Sequence, residues 1–348
     1  MTRFSKSDKQ AGSRKDAHLD LAKSELARTS GPQPFDAIHL PYHALPELAL
    51  EEVSTESQFL GCTLSQPLII GAMTGGTDRA DRINAALAEV AESAGIALAF
   101  GSQRASLANK RSQAELRRLA KSVPLIGNLG GVQLAAHNGL NMARRAVDDL
   151  GADMLAVHLN PLQEIAQPEG ETDWRGVLAA IEQAVQKLPC PILVKEVGAG
   201  LGPEAARQLT DLGVDWLDVA GRGGTSWTRI EASRQTPAGQ ARLAPFLDFG
   251  VTTPDAIRAA RQACPDSKII GSGGVRHGLD MARCLWLGAD MTAMAGPLLT
   301  QLEQADAKMD QAALASFLEQ LKEQLKISLF LTGSDSITDF QKKSSIYR

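Results

Sequence analysis

The chain has 348 residues, 44 % of them apolar but only 4 % aromatic, so a sizeable core is possible and aliphatic side chains must fill it. That length suits one large α/β barrel or two ordinary domains. A net charge of −4, with no basic block beyond the N-terminal segment, argues against nucleic acid as a main partner. No stretch approaches a membrane-spanning run and the N-terminus lacks an apolar leader core, so membrane insertion is not expected and a cytoplasmic location is.

In chain order, residues 1–13 are polar, and Arg14-Lys15-Asp16-Ala17-His18 then leads into the amphipathic stretch LDLAKSELA. Such a basic cluster reads either as a solvated face or as an arm that folds over an anion. Residues 31–60 read as irregular, so 1–65 form an N-terminal arm and lead-in. From Gln66 a rhythm sets in. Short β-like runs occur at 67–73, 95–102, 124–130, 153–160, 191–197, 216–221, 268–274 and 290–296, with helical patterns between them. The phrase Leu-Gly-x-Asp recurs at Leu150, Leu212 and Leu287, each time closing a helix with glycine and opening a strand. Thr253-Pro254-Asp255 gives the opposite signal, a cap followed by proline in the first turn. Eight near-continuous apolar strands alternating with helices predict a parallel sheet covered outside, and eight strands close a (β/α)₈ TIM barrel over residues 66–332. The segment 222–249, polar and weakly periodic, is predicted as a long loop between the sixth and seventh strands. Residues 298–331 read as helix and 333–348 as a C-terminal tail. Cys62, Cys190, Cys264 and Cys284 form no cluster and read as reduced thiols.

In such a barrel, chemistry gathers at the C-terminal strand ends. Those ends carry Met73-Thr74-Gly75-Gly76, Ser102-Gln103-Arg104, Asn128, His158 with Asn160, Gln163 and Glu164, Lys195, Gly221 to Thr225, Gly271 to Arg276, and Ala295-Gly296. His158 and Asn160, two apart, are expected on one strand face. The run GSGGVR exposes bare backbone N–H groups to an anion, and with the AGPLL segment it makes the usual barrel phosphate site. Lys195, on an otherwise apolar strand, needs a counter-charge that an anionic cofactor would supply. Glu164, beside a diphosphate, could hold Mg²⁺. Gly198-Ala-Gly200-Leu-Gly202, with Asp218 downstream, imitates a dinucleotide loop but has its third glycine one position early, and it reads as a tight βα turn. His277 suits phosphate contact better than base catalysis.

The segments RKDAH, AMTGG, GSQRA, GNLGG, HLNPLQE, Lys195, GRGGTSW, SGGVR and AGPLL, in this order, resemble type 2 isopentenyl-diphosphate isomerase from Arg14 to about Leu331. The resemblance implies an FMN-dependent barrel related to the hydroxy-acid-oxidising flavoenzymes. It implies a small-molecule diphosphate substrate, Mg²⁺, flavin kept reduced by NADPH, and a homo-oligomer (a tetramer or octamer). It places Ala72, Met73, Thr74, Ser102, Asn128, Lys195 and Thr225 at the flavin, and Gly273, Gly274, Val275, Arg276, Ala295 and Gly296 at its phosphate. Arg14, Lys15, His18, Arg104, His158, Asn160 and Gln163 fall to the substrate, Glu164 to the metal, and Gln163, Lys195 and His158 to catalysis. A hydroxy-acid oxidase on the same barrel is the alternative, but the GRGGTSW region offers no His base. A non-enzymatic flavin-binding barrel is a further alternative, and it would not need the diphosphate set.

Overall fold

A hairpin, β1 (Ser57–Phe59) and β2 (Cys62–Leu64), precedes eight parallel strands in the computed structural model, which describes residues 19–24, 27–303 and 308–346. The eight are β3 (Leu68–Ile70), β4 (Ala97–Ala99), β5 (Leu125–Gly130), β6 (Met154–His158), β7 (Ile192–Lys195), β8 (Trp216–Asp218), β9 (Lys268–Ser272) and β10 (Met291–Met294). They close in sequence order, with β10 returning to β3. The eight-strand TIM barrel expected from the apolar rhythm is the fold observed.

Strand periodicity sorts the side chains. Ile69, Ala97, Ile126, Met154, Ala156, Leu193, Trp216, Ile270, Met291 and Ala293 form the barrel interior, while the intervening residues pack outward under the helices. Small and branched aliphatics fill this interior, which explains why few aromatics suffice. The floor is closed by the hairpin. Phe59 and Leu64 join the interior cluster, and Phe59 meets Trp216 edge-on at 4.8 Å. The lead-in is therefore not wholly irregular. Its turn residues Leu60 and Gly61 both have positive φ, +50° and +78°, the geometry that a two-residue hairpin turn demands.

The repeated Leu-Gly-x-Asp phrase does its work at the floor. Gly151 and Gly288 end their helices in the left-handed region, while at the third copy Leu212 is the cap and Gly213 turns just after it. Asp153 accepts the Leu125 N–H at 2.8 Å and the Arg117 guanidinium at 2.5 Å. Asp290 repeats this with the Ile269 N–H at 2.8 Å and Arg261 at 2.6 Å. Each clamp satisfies a strand-start donor that would otherwise be orphaned.

Four expectations need correction. Segment 222–249 is not a plain loop: it folds as helices Trp227–Ser233 and Pro237–Leu243, capped by the Ser226 and Thr236 hydroxyls. Seven-residue helices are too short to show a 3.6-residue period, but the Thr236-Pro237 cap was readable. The 333–348 tail contains helix Ile337–Ile346, whose Phe340 is fully buried and packs 5.1 Å from Trp286. The single helix expected over 298–331 is divided into Gly296–Leu302 and Gln311–Leu331. At the cap before Pro254 the acceptor is Thr252 rather than Thr253. Cys264 and Cys284 are buried, Cys62 and Cys190 partly so, and all four are free thiols. Among the described residues no helix is long and apolar enough to cross a membrane.

Candidate active site

Asn128, His158, Lys195, Asp218 and Ser272 each lie two residues beyond an interior apolar residue of their strand, so all five project into the barrel mouth. His158 is in register with Lys195, and Lys195 with Asp218. They form a polar ring on an aliphatic floor. Asn128 Nδ2 donates to the Phe100 carbonyl at 3.0 Å, which leaves its Oδ1 to accept at 2.8 Å from His158 Nδ1. That assigns the Nδ1–H tautomer and leaves Nε2 as an acceptor. Part of the ring reaches the mouth, yet burial among its neighbours, reinforced by the Lys195 charge, pushes the His158 pKa down to about 3. Lys195 Nζ donates to the Glu196 carbonyl at 2.5 Å and stands 3.9 Å from Asp218 Oδ2. Asp218 Oδ1 accepts from Ser272 Oγ at 2.5 Å and from the Ala220 N–H at 3.1 Å.

A second cluster sits on the helix Pro161–Ala166 that follows β6. Asn160 does not continue the strand beside His158: β6 ends at His158, Pro161 starts the helix, and Asn160 occupies the N-cap position. Its buried amide donates to Gln163 Oε1 at 3.2 Å and to Glu164 Oε1 at 3.0 Å. Gln163 in turn donates to Glu231 at 3.4 Å. The other Glu164 oxygen accepts the Glu171 N–H at 2.8 Å. The Glu171 carboxylate pairs with Arg104 at 3.3 Å and takes a hydrogen bond from Gln133 Nε2. Arg104, Asn160, Gln163 and Glu164 are thus brought together by one continuous network. Among the described residues no group of three or more His, Cys, Asp or Glu side chains is placed to hold a metal ion.

The third element is the glycine-rich rim. Gly273 and Gly274 have φ of +93° and +78°, and a Cβ on Gly274 would lie 2.7 Å from the Gly223 backbone, so both the turn and the close approach require glycine. The backbone N–H groups of Gly273, Gly274 and Val275 have no hydrogen-bond partner among the described residues. Across the rim, Thr225 Oγ1 is 3.8 Å from where a Gly296 Cβ would stand, so the loops after β8, β9 and β10 make one cradle with Ala295 and Gly296 at the start of a short helix. Arg276, unlike these glycines, is already engaged within the chain. Its guanidinium is tied to Asp280 at 2.8 Å and Asp36 at 2.5 Å, and its N–H also bonds Asp280. These contacts brace the loop, and His277 Nδ1 caps the following helix. On the opposite rim, Ala72 packs on the interior cluster, Met73 and Ser102 are partly buried, and the buried Thr74 accepts from Asn84 at 3.3 Å. The imitation dinucleotide loop is a tight turn. The N–H groups of residues 197–200 all point at Glu196 Oε2, at 2.5–3.1 Å.

Arg14, Lys15 and His18 lie outside the described residues. The segment that follows them is fastened to the mouth at two places. Lys23 and Arg79 both pair with the buried Glu303, at 2.8 and 2.7 Å, and the hydrogen bond from Arg79 chiefly holds that carboxyl below its usual range. Further on, Arg28 bridges Thr225, and Ser226 N donates to the Ala27 carbonyl at 2.7 Å. Asp218, Ser272, Glu171 and Glu231 were not singled out from sequence as site residues. For the first two the signal was present, since each stands two positions past an inward-facing residue of a predicted strand.

Residues 134–347 match the FMN-dependent dehydrogenase family. An isopentenyl-diphosphate delta-isomerase from Stutzerimonas stutzeri (strain A1501) is 43 % identical over 338 residues, 95 % of each chain. Another, from Xanthobacter autotrophicus, is 44 % identical over 330 residues, 93 % of this chain and 94 % of that one. Among solved structures, mandelate oxidase with (S)-2-phenylpropionate superposes with a TM-score of 0.65 at 18 % identity, covering 94 % of this chain and 95 % of its own. Mandelate oxidase with benzoyl-formic acid gives 0.65 at 17 %, covering 97 % and 96 %. At that identity the likeness shows the barrel alone.

Proposed function

The chain belongs to the isopentenyl-diphosphate delta-isomerase family, on an FMN-dependent barrel, and from that premise we propose that it interconverts isopentenyl and dimethylallyl diphosphates using reduced FMN, Mg²⁺ and NADPH as reductant. The observation that carries this reading is the polar ring over an aliphatic floor, flanked by a glycine cradle with unengaged N–H groups. Both features fit FMN. The N–H groups of Gly273, Gly274 and Val275, with Ala295, Gly296 and Thr225, would hold its phosphate. Lys195, Asn128, Ser102 and the 72–74 segment would hold the ring.

The chemistry assigned to bound, reduced FMN is delivery of a proton to the alkene and removal of one from the neighbouring carbon. The chain's own groups prepare for that. Ile126, Ala156, Leu193 and Ile270 exclude water beneath the ring of polar groups, where charge is felt more strongly. Lys195, fixed by the Glu196 carbonyl, offers a positive charge to an anionic ring. His158 stays neutral, so it does not add a second cation where the substrate itself gains positive character. Its free Nε2 accepts a hydrogen bond and, with the Gln163 amide, orients the substrate or a water. Glu164 supplies one carboxylate, so a Mg²⁺ bound there would take its remaining ligands from diphosphate and water. Arg14, Lys15, His18 and Arg104 would complete the diphosphate site from the arm and the β4 loop. The hydroxy-acid oxidase alternative lacks support, since residues 221–227, following β8, contain no His to abstract a proton from carbon.

The test is direct. FMN-loaded protein, reduced with NADPH or dithionite and supplied with Mg²⁺, is incubated with isopentenyl diphosphate and followed by proton NMR. Formation of the dimethylallyl isomer is expected, and an unchanged substrate refutes the reading. Within the same assay, Glu164→Gln should raise the Mg²⁺ requirement while FMN binding is retained.

A further inference from the structure

We propose that Asp218 is a positioning residue acting through Lys195: it balances the ammonium charge, and so sets how strongly the site prefers reduced over oxidised FMN. This rests on the reading above, in which Lys195 faces the flavin ring.

The geometry carries it. Asp218 and Lys195 are in register on adjacent strands and both point into the mouth, because Trp216 and Leu193 two positions earlier line the interior. Asp218 is 3 % exposed, and a carboxylate so placed needs compensation. Its two oxygens are treated differently. Oδ1 is saturated by the neutral donors Ser272 Oγ and Ala220 N, whereas Oδ2 faces Lys195 Nζ at 3.9 Å. That separation exceeds the roughly 2.7–2.9 Å of a charge-assisted hydrogen bond, so the pair interacts by charge rather than by a shared proton. An ammonium has three donors. One is spent on the Glu196 carbonyl and none is consumed by Asp218, which leaves Lys195 free to address a ligand while its charge is partly offset. Burial pushes the Asp218 carboxyl up, and Lys195, Ser272 and the Ala220 N–H oppose that. Removing Lys195 withdraws the first of those opposing contributions, so the carboxyl is pushed further up.

A merely structural role is the competing explanation, since Asp218 also fixes the N–H of Ala220, whose φ is +36°. Asp218→Asn separates the two. It preserves shape and the Oδ1 acceptor and removes only the charge. Redox titration of the FMN-loaded protein should show reduced FMN favoured by a further factor of about ten, a rise of about 30 mV for a two-electron couple. In the Lys195→Gln background the same substitution should shift the potential far less, because no ammonium is left for Asp218 to offset. If Asp218→Asn fails to fold, Ser272→Ala, which keeps the carboxylate but withdraws a hydroxyl that screens it, should shift the potential in the opposite direction by about threefold in the same ratio (about 30 mV per tenfold). An unchanged or lowered potential in Asp218→Asn, or a full shift persisting without Lys195, overturns the inference. Wild-type protein that binds no FMN instead overturns the function proposed above.

Discussion

The two ends of the barrel use the same residue types to opposite effect. At the floor, Arg117 with Asp153 and Arg261 with Asp290 are closed sets: each carboxylate holds a strand N–H, and each guanidinium also holds nearby carbonyls. The Phe59–Leu64 hairpin seals what remains. At the mouth, Lys195 has spare donors, His158 Nε2 is an open acceptor and three glycine-loop N–H groups lack partners among the described residues. Buried polar groups left unmatched cost about 1–3 kcal/mol each, so a fold tolerates them where a ligand or water will complete them. Saturation marks the stabilising end and open valence the chemical one.

Breaking the floor should cost most. Phe59→Ala removes a buried ring from the plug and is expected to lower stability by about 3–5 kcal/mol, while activity per folded molecule is retained. Denaturant melts alongside specific activity measure both, and a loss confined to activity would abolish the distinction between the ends. Lys195→Met attacks the mouth instead. Removing a preorganised charge from such a site costs about 10²–10³ in kcat. A variant that turns over normally would leave Lys195 as a structural cation.

The mouth also has a pH signature that the floor lacks. His158 has its folded pKa depressed to about 3 from a usual value near 6.5, so the unfolded chain binds the proton first as pH falls. Its contribution is whole above about pH 6.5 and is lost between there and about pH 3, at up to about 1.4 kcal/mol per pH unit. Urea melts between pH 7 and 4.5 should therefore show a shallower decline in His158→Gln than in wild type, and parallel slopes would remove His158 from the account. The smallest effect concerns the arm. Arg14→Ala with Lys15→Ala should raise the KM for the diphosphate about tenfold, equivalent to about 1.4 kcal/mol, without altering FMN affinity. A wild-type KM would return that segment to an ordinary solvated face.

The sequence by itself determined the barrel, because eight strands buried on both faces read as short apolar runs alternating with helical patterns. It also marked the mouth, since glycines and polar groups at strand ends are local signals, and eight short segments with Lys195, in one order, resembled a single family. Tertiary structure decided the partners. Asp218 looked like part of a dinucleotide imitation until register set it beside Lys195. Arg276 gained the carboxylate of Asp36 only because the fold brought it from 240 positions away. Asn160 left the strand face because Pro161 began a helix one residue later. The hairpin plug and the helices of 222–249 were missed for the same reason. Elements of three to seven residues hold their shape through contacts with distant parts of the chain, and periodicity within so few residues is too short to read.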